Sequence, residues 1–144
     1  MSNNPNVHSG YDMIVKMSRT GQEGGEMVEL EIQGDLTINP GKSMNQERYK
    51  NAIIAVHNDT GMTAQCTVGI ERPQPEGQGL VWQAHDTSTP WYCEMTGKRP
   101  GVRGYAGVFL VTVTTENHSK AKTEATMTVD FAAHGDDPTP SLSA

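Results

Sequence analysis

The chain has 144 residues, 35% of them hydrophobic, with 15 glycines, 8 prolines and a net charge of −6. That length suffices for one domain with a core; the low apolar share with abundant Gly and Pro favours a β-protein with long loops, or one whose core is completed by assembly. The acidic balance argues against a basic nucleic-acid groove and leaves room beside nucleic acid only for a surface that must not stick to it.

Residues 1–10 read as a polar N-terminal arm. The segment Met1 to Asn6 lacks a basic region followed by an apolar core, so no signal peptide is expected. No apolar run approaches membrane-spanning length, and the chain is expected to be made in a cytoplasm. Tyr11 to Ser18 predicts a first strand with Met13, Val15 and Met17 on one face. Three glycines between Thr20 and Gly25 predict a turn, and Glu26 to Gln33 a second strand. Leu36 and Ile38 could prolong it, but Asn39-Pro40-Gly41 is a break. From Gly34 to Asn51 the pattern is irregular, with few core anchors, so a long inter-strand loop is expected there.

Ala52 to Val56 reads as an apolar strand returning to the core. Met62 to Glu71 alternates cleanly: Met62, Ala64, Cys66, Val68 and Ile70 against Thr63, Gln65, Thr67 and Glu71. Glu76 to Asp86 predicts the one helix, with Leu80, Val81 and Ala84 on its buried face, although Gly77 and Gly79 count against it. Trp91 to Met95 is a short strand. Tyr105–Thr115 and Lys122–Ala133 then form a long antiparallel hairpin. Its first run opens on Val108-Phe109-Leu110-Val111, expected to be covered on both faces. Its second alternates Ala125, Met127, Val129 and Phe131 against Thr126, Thr128 and Asp130. Residues 136–144 are a polar tail with no evident means of packing. The fold class expected is mainly β: an antiparallel β-sandwich or partial barrel over residues 11–135, with one flanking α-helix.

Nothing points to catalysis. The five histidines, His8, His57, His85, His118 and His134, lie outside ligand spacing of one another and of the cysteines, so no metal site and no cofactor are expected. Cys66 and Cys93 read as buried free thiols, and Cys66, on an apolar face, should be inert. The informative feature is a surface. Thr63, Gln65, Thr67, Glu71, Thr126, Thr128 and Asp130 make a face of short uncharged or acidic groups. Such a face suits either the lining of a wet channel or an ordinary solvent-facing sheet rich in threonine for its β propensity.

The order of a strand at Thr63–Glu71, a helix at Glu76–Asp86, a short strand at Trp91–Met95 and a terminal hairpin resembles that of the major tail tube proteins of long-tailed bacteriophages. The closing run Thr123 to Gly135, alternating and ending in glycine, and the Gly34–Asn51 excursion belong to the same likeness. The resemblance implies a non-enzymatic structural protein of the virion tail, assembled in the host bacterial cytoplasm. It implies hexameric rings stacked into a hollow tube that conducts DNA without binding it specifically, with tape-measure and tail-terminator or tip proteins as partners. It makes the Thr/Gln/Asp face the lumen candidate. It also makes Asn39, Pro40, Gly41, Lys42, Ser43, Met44, Asn45, Gln46, Glu47 and Arg48 the loop that reaches a neighbouring ring. Two other classes stay open: a capsid decoration or head–tail completion protein, and a carbohydrate-binding sandwich stacking sugars on Trp82, Trp91 and Tyr92.

Overall fold

The structure is a computed structural model describing residues 6–31, 34–121 and 124–144. The first half of the N-terminal arm, the Ile32–Gln33 end of the second predicted strand and the Lys122-Thr123 start of the last run lie outside the described residues. A 3-10 turn at Gly10–Asp12 leads into β1 (Met13–Ser18), and β2 (Met27–Leu30) and β3 (Leu36–Asn39) follow. Next come β4 (Lys42–Tyr49), β5 (Ala52–Asp59), β6 (Thr63–Gly69), α1 (Glu76–Thr87), β7 (Trp91–Gly97), β8 (Arg103–Asn117), β9 (Thr126–Ala133) and β10 (Thr139–Leu142).

All pairings are antiparallel. The main sheet runs β2-β1-β7-β8-β9-β6-β3, with β10 also paired to β8. The sheet does not close, because β2 and β3 stand at its two ends. The fold class is therefore the expected one, mainly β with a single helix among the described residues.

One face of the sheet carries the core. Alternation sends Val15 and Met17, then Met62, Ala64, Cys66 and Val68, Cys93 and Met95, Phe109 and Val111, and Met127, Val129 and Phe131 to the same side, where they are buried. Phe109 and Phe131 meet edge to face, centroids 6.3 Å apart. The helix α1 lies on this side, chiefly against β8, and buries Leu80, Val81 and Ala84 as expected. Gly77 has a packing reason: a Cβ there would sit 2.7 Å from the Glu29 carbonyl oxygen, so glycine lets the helix approach β2. The buried Gln78 donates from Nε2 to the Gly69 carbonyl (2.6 Å), satisfying the end of β6. His85 Nδ1 accepts from the Val113 N–H (3.1 Å), beside the register shift in β8 between Val113 and Thr115.

Four expectations need correction. The Gly34–Asn51 stretch is not an irregular loop: it holds β3 and β4, and β4 pairs along its whole length with β5 as a two-stranded hairpin. The pattern misleads because every residue of both strands is exposed, so neither face shows the alternation that burial imposes. Ala52 to Val56 is a strand, but it lies on this hairpin rather than in the core. The block Val108–Val111 is covered on one face only; Val108 and Leu110 remain 36% and 38% exposed. The tail also pairs: β10 bonds to the first half of β8, and Ser143 ties down the Gly97–Gly101 turn, exchanging backbone bonds with Gly101 (2.9 Å) and Val102 (2.8 Å).

Candidate functional site

Two surfaces stand apart from the core, and the chain builds them from one long ribbon. The pair β3–β6 and the pair β4–β5 are consecutive stretches of the same two runs of chain. Between them Gly41 and Gly61 both take positive φ (89° and 84°), and a Cβ on Gly41 would overlap the Gly61 carbonyl. Asn39 Oδ1 accepts from the Gly41 N–H (3.0 Å), and Gly41 O accepts from the Thr60 N–H (2.6 Å). The Asn39-Pro40-Gly41 break is thus real, but it bends the ribbon rather than ending it. Beyond the bend, eight residues at roughly 3.3 Å each carry the hairpin roughly 26 Å outward.

This hairpin is the structural form of the loop candidates. Asn39, Pro40 and Gly41 are its root; Lys42, Ser43, Met44, Asn45, Gln46, Glu47 and Arg48 are its first strand. Both of its faces bear apolar groups in water: Met44 is 74% exposed, and Tyr49, Ile53, Ile54 and Val56 are each at least half exposed. An isolated two-stranded hairpin is marginally stable in water, and such apolar exposure marks an interaction surface. At the tip the Tyr49 hydroxyl bonds to the Glu47 carboxylate, which raises the Tyr49 pKa above its ordinary value.

The second surface is the sheet face turned away from α1. Register places six of the seven polar candidates on it in cross-strand rows. One row is Gln65–Asp130–Thr112, the next Thr67–Thr128–Thr115; Thr63 leads a third through Ala132 to Leu110, and Thr126 pairs with Asn117. Gln65 Nε2 donates to Asp130 Oδ1 at 2.8 Å. Glu71 is placed differently: it follows the end of β6, and its N–H points to Gln78 Oε1 (3.4 Å) at the base of the helix, outside these rows. The sequence also gives the strand Ala106–Thr115 a polar face, but its members, Thr112 and Thr115 with the part-exposed Val108 and Leu110, were not among the lumen candidates. For Val108, Leu110 and Thr112 the alternation with Phe109 and Val111 was the available signal; Thr115 shares the parity of Val111 and reaches this face only through the register shift after Val113.

The remaining candidates have structural roles. Burial pushes the Cys66 thiol up to about 12, helped by the nearby Asp130 charge, and burial also raises the Cys93 thiol; neither is poised as a nucleophile. Among the described residues no group of His, Cys, Asp and Glu could hold a metal ion. The three aromatics weighed as a sugar platform do not share a surface. Trp91 is buried, its Nε1 donating to Ser18 O (2.5 Å); Tyr92 points to the opposite face; Trp82 lies on the helix against His85.

No protein-family profile and no curated protein matches the sequence. Solved structures do match in fold. A chain from the tail of an empty gene transfer agent particle, refined with C6 symmetry, superposes with a TM-score of 0.67 at 13% identity, covering 96% of this chain and 100% of that one. A chain from the virion of a native gene transfer agent particle gives 0.61 at 12% identity, with the same coverage. The shared fold therefore extends over nearly all of both chains.

Proposed function

We propose that this chain is a structural subunit of a phage-like tail tube, located in the virion tail and assembled in the bacterial cytoplasm. Six copies form a ring, rings stack, and DNA passes through the bore. The observation that carries this reading is the projecting β4–β5 hairpin, a segment with no fold-stabilising role in its own chain and five exposed apolar side chains, on a fold shared with a tail-particle chain. The hairpin supplies contacts between subunits. The Thr/Gln/Asp rows of β6, β9 and β8 line the bore, where Asp130 is the one charged member of the three-strand rows. A lining without cations lets phosphates slide, since each cation on a phosphate adds affinity. Tape-measure and terminator proteins are the expected partners at the tube's interior and end.

The test is electron microscopy of the purified protein across a concentration series. Tubes or stacked rings of uniform width with six-fold end views are expected. A protein that stays monomeric at every concentration, or forms closed shells, would overturn the reading.

A further inference from the structure

We infer that the open seam between β2 and β3 is the receptor for the hairpin tip of a second copy of this chain. This rests on the assembly reading above but adds the partner surface and its chemistry. The sheet ends at β2 on one side and β3 on the other, and neither outer edge is paired among the described residues. Between them lies a cavity of about 630 Å³. Its floor is apolar: Met13, Ile14, Leu30 and Leu36, of which only Leu30 is fully buried. Its rim carries three carboxylates, Glu29, Glu31 and Asp35, against one cation, Lys98. None of the three has an ion-pair partner among the described residues.

The hairpin tip has the opposite chemistry. Residues 42–59 carry three Lys or Arg (Lys42, Arg48, Lys50) and two Asp or Glu (Glu47, Asp59), a net +1 in a chain of net −6. Subtraction leaves −7 on the remaining residues, so the hairpin carries a small positive charge in an acidic protein; Lys98, Arg99 and Arg103 form a second cationic stretch. At the tip Glu47 is engaged by Tyr49, while Arg48 and Lys50 have no ion-pair partner among the described residues. Between and beside them stand Tyr49, Ile53 and Ile54, each at least half exposed. An apolar floor with an acidic rim and an apolar tip with a cationic rim are complementary in both respects.

The tip cannot serve its own seam. The seam lies at the Asp35–Leu36 start of β3, and the hairpin leaves from the Asn39 end and runs roughly 26 Å further. Every residue along it is exposed, so it does not fold back onto the sheet. The occupant is therefore another copy. The contact joins two different patches, so it is heterologous, and such contacts propagate into rings or open stacks.

Two readouts separate this inference from the tube reading. In the first, R48E/K50E and E31K/D35K variants are compared with wild type for the protein concentration at which assemblies appear. Each should raise it about tenfold or more, and the chain reversed at both surfaces should return close to wild type. If either variant assembles like wild type, or the doubly reversed chain is no better than the singles, the seam is not the receptor. In the second, K50C and D35C chains are mixed and oxidised, with K50C plus S119C as the control pair. The native Cys66 and Cys93 are buried and do not compete. A disulfide-linked heterodimer well above the control is expected. Cross-linking without tubes would uphold the seam contact and sink the tube; tubes without cross-linking would do the reverse.

Discussion

Excising the hairpin is the sharpest way to separate what folds this chain from what assembles it. Lys42 and Asp59 are cross-strand partners, so residues 43–58 can be replaced by an Asn-Gly turn that closes the same ladder. None of the 18 buried hydrophobic residues among those described lies in the excised segment, so the monomer loses none of these core contacts. Its stability should change by no more than about 1 kcal/mol, the scale of surface changes and of a shortened loop. Assembly should respond very differently. Met44, Tyr49, Ile53, Ile54 and Val56 are 50–74% exposed. At about 1.5–3 kcal/mol for burying a whole apolar side chain, covering the exposed half of each is worth roughly 4–7 kcal/mol together. At 1.4 kcal/mol per decade that is roughly three to five decades in subunit affinity, an upper bound because association also costs ordering. The assay pairs a urea melt of the monomer with sedimentation across a concentration series. A trimmed chain that melts normally and still assembles at wild-type concentrations would refute the reasoning. One that fails to fold would refute the separation of hairpin from core.

Other outcomes follow from the two sheet faces and the helix. Thr128→Lys should leave assembly intact, because a lysine can stay hydrated in a wide bore, while DNA ejection slows, most at low salt; unchanged ejection through intact tubes would put this face elsewhere. Phe131→Ala, at a residue 1% exposed, should cost about 3–5 kcal/mol in a thermal or urea melt. Its neighbour Asp130→Asn, on the other face, should stay within about 1 kcal/mol, and equal effects would mean the faces are misassigned. The Arg19 guanidinium bonds both Glu76 oxygens (2.5 and 2.8 Å) and holds that carboxyl below its ordinary 4.5. Because the folded-state value is depressed, this pair contributes above pH 4.5 and its contribution is lost as pH falls through the lowered value. Glu76→Gln should therefore lower stability slightly at neutral pH and flatten its fall below pH 4.5; an unchanged acid limb would show the pair to be inert.

What was legible in the sequence was legible because burial wrote it there. The strands β6 and β9 alternate since one face meets the core, and the helix showed through Leu80, Val81 and Ala84 despite two glycines, one of which the packing requires. The hairpin was not legible as a hairpin. Lys42–Tyr49 is mostly polar on both faces and Ala52–Val56 is apolar on both, so neither carries a period of two. An exposed strand writes its partner's preferences into the sequence, and in the proposed tube that partner is another copy of the chain. The tail was missed for a different reason. Two prolines in Pro138-Thr139-Pro140 argue against a strand, yet Ser143 bonds through both its backbone groups to Gly101 and Val102, just ahead of β8. The antiparallel alternation then turns the Pro140 nitrogen outward, where no N–H is needed.

The polar face and the hairpin also constrain one another. The sheet's inner face is consumed by α1 and the core, so only the outer face, the two sheet ends and the hairpin remain for other molecules. The outer face is not uniform. Its Gln65–Asp130–Thr112 and Thr67–Thr128–Thr115 rows are polar throughout, while the row of Thr63 ends in Ala132 and Leu110, with Val108 beyond. An apolar end to an otherwise wet lining has no use in a bore that DNA must slide through, but it has one where the next subunit begins. In the proposed tube the channel surface therefore narrows to the two polar rows, and Leu110 and Val108 fall at the boundary between neighbours. The chain's low hydrophobic content is then a matter of where its apolar residues are spent. One set closes the monomer, and a second, on the hairpin and at Val108 and Leu110, stays exposed until another copy covers it.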